Sequence, residues 1–140
     1  MKLTGCCLPY GESKYHDAVM PGAFAHQDGQ SVPLVTKFNS HNPEHVIGHC
    51  VLHNTTEGVM CDLYFNEQYL KKAMNSYSSI ENLYWALAKL YKIGAWVTMI
   101  KKEPNLMHDK IANSFIVTHG CIREVAINET CIESIKMVEE

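Results

Sequence analysis

The stretch Ile80-Glu81-Asn82-Leu83-Tyr84-Trp85-Ala86-Leu87-Ala88-Lys89-Leu90-Tyr91-Lys92-Ile93-Gly94-Ala95-Trp96-Val97-Thr98 changes period partway along its length. Ile80, Leu83, Tyr84, Leu87, Leu90 and Tyr91 recur at helical spacing, as do Tyr69, Leu70, Ala73, Met74 and Tyr77 just upstream. From Ile93 to Ile100 the pattern is that of a strand, with Val97 and Thr98 β-branched and Pro104 beyond its end. The reading is one main helical segment over about 67–91, broken at Ser78-Ser79, that hands over directly to a strand. Ser78 and Glu81 have the spacing of a capping box, whereas Ser79 and Asn82 do not.

Strands flank this segment on both sides. Upstream, Leu3 to Leu8 forms a first candidate, ended by Pro9 and Gly11, and Gly11 to Asp17 reads as a polar loop. Pro21 stands at a candidate first helical position, so a short helix is expected after Met20. Val32 to Phe38 is a second strand candidate and Asn39 to His45 a loop. Val46 to His53 and Gly58 to Phe65 have the look of a hairpin closed by Asn54-Thr55-Thr56-Glu57-Gly58. Downstream, Ser114 to Thr118 and Ile122 to Ile127 read as a closing strand pair, linked by His119-Gly120. The tail from Glu129 to Glu140 fits a short helix or a further strand. The expected class is α+β: a β-rich, barrel-like single domain over 1–140.

Composition removes several functions. Hydrophobic residues at 46% and charged residues at 19% are globular rather than disordered proportions. With a net charge of −3 and no basic run, no nucleic-acid footprint is expected. Lys101-Lys102 is followed at once by Glu103 and reads as a solvated strand end. No apolar run reaches the ~20 residues of a membrane span, and no apolar leader follows Lys2. The six cysteines form no C-x-x-C pair and read as reduced, mostly buried thiols, with Cys6 and Cys7 on opposite faces of a strand.

His41, His45, His49 and His53 recur every four residues, but Pro43 and Gly48 interrupt any helix through them. Only His49 and His53 share a strand face, ~13 Å apart by strand rise, too far to share an ion. No metal and no other cofactor is therefore expected. The aromatics Tyr69, Tyr77, Tyr84, Trp85 and Tyr91 read as a packed helix face. Of the neighbours Tyr84 and Trp85, one is expected to lie outside the core.

Four stretches, in order, resemble the prohead (capsid maturation) proteases of tailed phages, relatives of the herpesvirus assemblin fold. Val19-Met20-Pro21-Gly22-Ala23-Phe24 is similar to the family's V-x-P-G-A-F. Val32-Pro33-Leu34-Val35, then Val46-Ile47-Gly48 and Glu57-Gly58-Val59, resemble its V-P-L-L strand, P-I-G strand and D-G-L hairpin. Lys92-Ile93-Gly94-Ala95 resembles S-I-G-F after the helix, and Glu124-Val125-Ala126-Ile127 the closing E-V-S-L strand. The resemblance covers roughly residues 3 to 128 and implies a prohead-protease fold.

It also implies where catalysis has been lost. The position of the nucleophilic serine is Lys92, and no Ser or Cys lies between Ser79 and Ser114. The catalytic histidine falls on Phe38 when counted from Val32-Pro33, and on His41 when counted back from Ile47-Gly48. Glu124 matches a family acidic residue. The resemblance thus implies a non-enzymatic virion protein: a decoration, cement or minor head protein that binds the major capsid protein or other head proteins in many symmetric copies. Two alternatives remain. One is an active maturation protease with a relocated nucleophile such as Ser40, Cys50 or Cys121. The other is a transient head-assembly scaffold factor. Lys92 could itself act as base or nucleophile only beside a hydroxyl or thiol.

Overall fold

Leu3, Gly5 and Cys7 alternate inward along the first strand, β1 (Lys2–Pro9), while Thr4 and Cys6 face outward. A register shift against its neighbour between Cys6 and Leu8 marks a bulge, which is why Cys7 and Leu8 are both buried. The computed structural model describes residues 1–11, 18–98, 106–109 and 114–139. The polar-loop residues 12–17 and the Lys101-Lys102-Glu103 and Pro104 readings lie outside the described residues, as does the end of the strand drawn to Ile100.

Further elements come in chain order. They are β2 (Ala18–Val19), β3 (Ser31–Val35), β4 (Val46–Asn54), β5 (Gly58–Phe65), α1 (Glu67–Ala73), α2 (Ile80–Leu90), β6 (Lys92–Thr98), β7 (Leu106–Asp109), β8 (Ser114–Val117), β9 (Cys121–Asn128) and β10 (Ile135–Val138). Seven strands form a curled sheet in the order β10-β1-β5-β4-β3-β9-β6, and β2-β8-β7 form a second, three-stranded sheet. The large sheet curls until its ends meet: Ile93 of β6 exchanges backbone hydrogen bonds with Glu133, at 2.8 and 3.3 Å. Gly5 permits this closure, because a Cβ there would stand 2.9 Å from the Ser134 carbonyl and 3.1 Å from the Ile93 side chain. The result is a β-rich, half-barrel α+β fold.

The hairpin β4–β5 pairs in the expected register, Gly48 opposite Phe65 through Asn54 opposite Val59. The helical segment over 67–91 is present and runs as two helices. Asn66 Oδ1 caps α1 by accepting the Tyr69 N–H at 2.7 Å, and a 3-10 turn at Met74–Ser76 ends it. Ser79, not Ser78, caps α2: its Oγ accepts the Asn82 N–H at 3.1 Å. Leu83 and Leu87 bury the inner stripe of α2, and Trp85 is its outward neighbour at 58% exposure while Tyr84 is half-buried.

Several expectations are corrected. The second strand ends at Val35 rather than Phe38, because the chain turns after Thr36. No α-helix opens at Pro21; a turn leads instead into a 3-10 turn at Ala25–Gln27. The closing strands do not pair with each other: β8 pairs with β2 and β7, and β9 lies between β3 and β6. The tail resolves as strand β10 against β1.

Candidate functional site

Lys92 opens β6 directly after α2, opposite Asn128 of β9, and its side chain is exposed. Asn128 ties this corner down. Its Nδ2 donates to the Thr36 carbonyl at 3.2 Å, and its Oδ1 accepts the Thr130 and Cys131 N–H groups at 2.9 Å each. Asn128 thereby fastens the last turn of β9 to the chain leaving β3. Lys92 stands where a strand begins immediately after a helix, but among the described residues no hydroxyl or thiol is bonded to it.

The two candidate histidine positions lie elsewhere. After Thr36 the chain doubles back, so that the half-buried Phe38 ring rests on Trp96 with centroids 5.6 Å apart. Trp96 is four residues along β6 from Lys92, ~13 Å away by strand rise. The reversal is made at Asn39, which adopts a left-handed backbone with φ 52°. Glu124 Oε1 holds it there by accepting the Asn39 N–H at 2.8 Å. The acidic residue thus fastens a loop rather than orienting an imidazole. His41 is exposed, and among the described residues no hydrogen bond, ion pair or ring contact involves it.

The hydroxyl–imidazole pair of this region is a different one. Ser40 Oγ lies 2.5 Å from His45 Nδ1, both residues being half-buried. With His45 protonated on Nε2, the hydroxyl donates to Nδ1, which is the first half of a nucleophile–base unit. Ser40 Oγ also accepts the Asn42 N–H at 3.1 Å, and Asn42 Oδ1 accepts the Glu44 N–H at 3.0 Å. The loop is therefore built from its own polar side chains, with Pro43 opening its 3-10 turn. A cleft of about 290 Å³ adjoins it, lined among others by Pro43, Glu44, Val46, Tyr69 and Lys72.

The other candidate nucleophiles are poorly placed. Cys50 is fully buried in the inner face of β4. Cys121 is half-buried, 3.6 Å from Gln27 Nε2. Thr98 Oγ1 accepts from Arg123 Nε at 3.0 Å. Among the inward thiols, Cys7 is pushed well up, first by its hydrogen bond with Cys61 and then by burial. Cys61 is likewise pushed well up, first by its hydrogen bond with Cys50. A thiol held protonated is a weak nucleophile.

The histidine series is dispersed. His49 stacks on Tyr64 at 5.2 Å, and His53 Nε2 lies 3.1 Å from Asp62 Oδ2, which also takes Lys2 Nζ at 3.0 Å. Burial pushes the Asp62 carboxyl up, but these two partners outweigh it and hold the group below its ordinary value. Among the described residues no group of three His, Cys, Asp or Glu side chains converges on a metal position.

One buried polar contact has no local signal in the sequence. Gln27, only 3% exposed, accepts the Ile122 N–H at 2.7 Å and donates to the Ile122 carbonyl at 3.0 Å. An amide side chain thus supplies the partner on the side of β9 away from β6, where β3 pairs only from Val125 onward. Gly120 packs beside it, where a Cβ would stand 2.8 Å from the Phe24 ring.

The curled sheet with two helices is an assemblin-like protease fold. The chain is similar to the Kaposi's sarcoma herpesvirus protease in complex with an allosteric inhibitor, with TM-score 0.58 and 13% identity over 95% of this chain and 73% of that one. A room-temperature crystal structure of the Kaposi's sarcoma-associated herpesvirus protease with allosteric compound 250 gives TM-score 0.56 and 14% identity, with the same coverage. The same protease with a hexapeptide phosphonate inhibitor gives TM-score 0.56 and 13% identity over 90% of this chain and 58% of that one. No protein-family model matches the chain, and no curated protein matches it.

Proposed function

We propose that this chain is a non-enzymatic component of a tailed-phage head: a decoration, cement or minor capsid protein built on a disabled prohead-protease domain. The observation that carries the reading is Lys92 at the head of β6, directly behind α2, where the resemblance puts the reacting serine. An exposed ammonium there offers no acyl acceptor, and Phe38 is turned away onto Trp96. A fold retained without its reacting group remains available for binding. Its partner on this reading is the major capsid protein or another head protein, met in many symmetric copies.

The test is incubation of the purified protein with its own capsid and scaffold proteins, followed by mass spectrometry of finished particles. Intact substrates and retention in the particle are expected. Retention separates this role from that of a scaffold factor, which leaves before maturation.

A second reading is favoured by one observation, the 2.5 Å Ser40–His45 pair beside a cleft. On that reading Ser40 attacks a peptide carbonyl, its proton passes to His45 Nδ1, and the leaving amine takes that proton before water releases the acyl group. Specific cleavage abolished by both Ser40→Ala and His45→Ala would overturn the non-enzymatic role.

A further inference from the structure

We propose that His26 and His119 bind one divalent transition-metal ion, which staples the turn after β2 to the turn between β8 and β9. The two imidazole rings stack with centroids 4.3 Å apart and planes 25° apart, and both residues are exposed. Among the described residues no hydrogen bond or ion pair involves either ring. The pair therefore presents nitrogen donors that the fold itself does not use. His45, His49 and His53, by contrast, are engaged by Ser40, Tyr64 and Asp62.

What makes the pair a site is how firmly its two carriers are joined. His26 lies in the 3-10 turn Ala25–Gln27, and the next residue is the buried Gln27, whose amide holds Ile122 by bonds of 2.7 and 3.0 Å. Beside His119, the Gly120 N–H donates to the Ala23 carbonyl at 3.4 Å. Gly120 also meets the Phe24 ring so closely that a Cβ would stand 2.8 Å from it. Both backbones are thus pinned within a residue or two of the imidazoles, and little ordering is left for a ligand to impose.

The chemistry selects the occupant. Metal–nitrogen bonds of ~2.0–2.1 Å set two ligands of a tetrahedral ion ~3.3 Å apart. Side-chain rotation brings one nitrogen of each ring from the 4.3 Å stack to that spacing. Neutral imidazole is the ligating form. Partial desolvation, and then the neighbouring His119, hold His26 below its ordinary proton affinity, so it is neutral at neutral pH. Imidazole suits zinc, nickel and copper, whereas magnesium and calcium take oxygen ligands. Cys121 does not join the set, because its thiol turns to Gln27 Nε2 at 3.6 Å and to the Ile122 carbonyl at 3.8 Å. Water then fills the remaining positions, and the ion is held weakly and exchanges. Cys121 opposes Thr98 at the end of the β6–β9 ladder away from Lys92, so the site is separate from that corner. It does not depend on the head-protein role.

Calorimetric titration of the full, reduced chain with Zn²⁺ in a non-chelating buffer tests it. One saturable site is expected for Zn²⁺ and none for Mg²⁺. His26→Ala and His119→Ala should each weaken Zn²⁺ binding at least ~10-fold, the scale on which even the outer partners of a metal ligand act. His49→Ala and Cys121→Ser should leave it unchanged, and circular dichroism of each variant checks that the fold is kept. In the unaltered chain Zn²⁺ should shift the backbone amide resonances over 24–28 and 118–121 before any others, a readout that needs no variant. At about a hundredfold excess over Kd it should also raise Tm by several degrees. Absence of saturable binding at millimolar Zn²⁺ overturns the proposal. So does binding that survives in both single histidine variants, or that is lost in Cys121→Ser, which assigns the ion to a thiolate. Resonance shifts that begin at another histidine overturn it as well.

Discussion

The Lys92 corner and the Ser40 loop differ in what each holds: the first is where the resemblance to prohead proteases puts the reacting serine, and the second brings a hydroxyl to an imidazole. At Lys92 a strand opens directly behind a helix, in a corner that Asn128 fastens to Thr36. What it lacks there is a hydroxyl. In the Ser40 loop the chain has a hydroxyl and an imidazole at 2.5 Å, but they lie in a turn held by its own polar groups. The difference teaches that position and chemistry can be separated in one domain. A residue type in hydrogen-bond reach of a base is not yet an active site, and a retained position is not an activity.

The largest effect that bears on this contrast is expected at Gly48. A Cβ there would stand 1.9 Å from the Tyr64 carbonyl and 2.9 Å from Phe65 Cα, both backbone atoms. Gly48→Ala must therefore displace the paired strand, at about 3 kcal/mol or more, or a fall in Tm on the order of 10 °C. Because the Ser40 loop runs into β4 while Lys92 is held by β9, hydrogen exchange should rise first over 36–48 and only later over 92–98. Simultaneous loss in both segments would show that the two corners are one cooperative unit.

Glu124 comes next. Glu124→Ala leaves the Asn39 N–H without its acceptor and releases the left-handed reversal that sets Phe38 on Trp96. A hydrogen bond to a charged acceptor is worth about 1.5–3 kcal/mol, and partial exposure puts this one near the lower end. Limited proteolysis should then cut within 36–45. If the loop stays resistant, the Asn42 and Ser40 side-chain bonds hold it unaided. Ser40→Ala is a smaller perturbation, about 1 kcal/mol by thermal or denaturant melting, with no change in the intactness of head proteins. A loss of hydrolysis with unchanged stability would move the contrast toward the second reading.

The sequence showed the hairpin and the helix-to-strand change because each rests on local period. Leu83 and Leu87 alternate with Trp85 at helical spacing, and the inward residues of β5 alternate by two. The contacts that shape the site were not legible, because they join distant residues. Asn39 meets Glu124 across 85 positions and Gln27 meets Ile122 across 95. Only the folded sheet brings them together. The parallel pairing of β8 with the two-residue β2 has no local signature either, and local pattern alone points from β8 to β9. Counting along a motif placed the catalytic histidine at Phe38 or His41, and it could not foresee that the chain doubles back at Asn39. Ser40 and His45 are only five positions apart, yet their pairing depends on the turn that Asn42 and Pro43 make, a spacing that names no motif.

Lys92→Ser should have the smallest effect on stability and decide most about the contrast. The side chain is exposed at a strand start, so the change is expected within about 0.5 kcal/mol. It puts at position 92 the residue type that the resemblance to prohead proteases implies there, while Phe38, facing Trp96, brings no base. A serine without a base in hydrogen-bond reach is a poor nucleophile, so hydrolysis of an activated ester should remain at the level of the unaltered chain. Adding Phe38→His should not rescue it, because position 38 sits against Trp96, which is four residues and ~13 Å along β6 from position 92. Rescue by that pair alone would mean that the 36–45 loop can swing back toward Asn128, and that the separation of position from chemistry is conformational rather than built in. Failure would mean that recovering the activity requires re-routing the chain at Asn39 as well as replacing two side chains. On that outcome the loop's path, as much as the residue at position 92, keeps a base out of reach of that position.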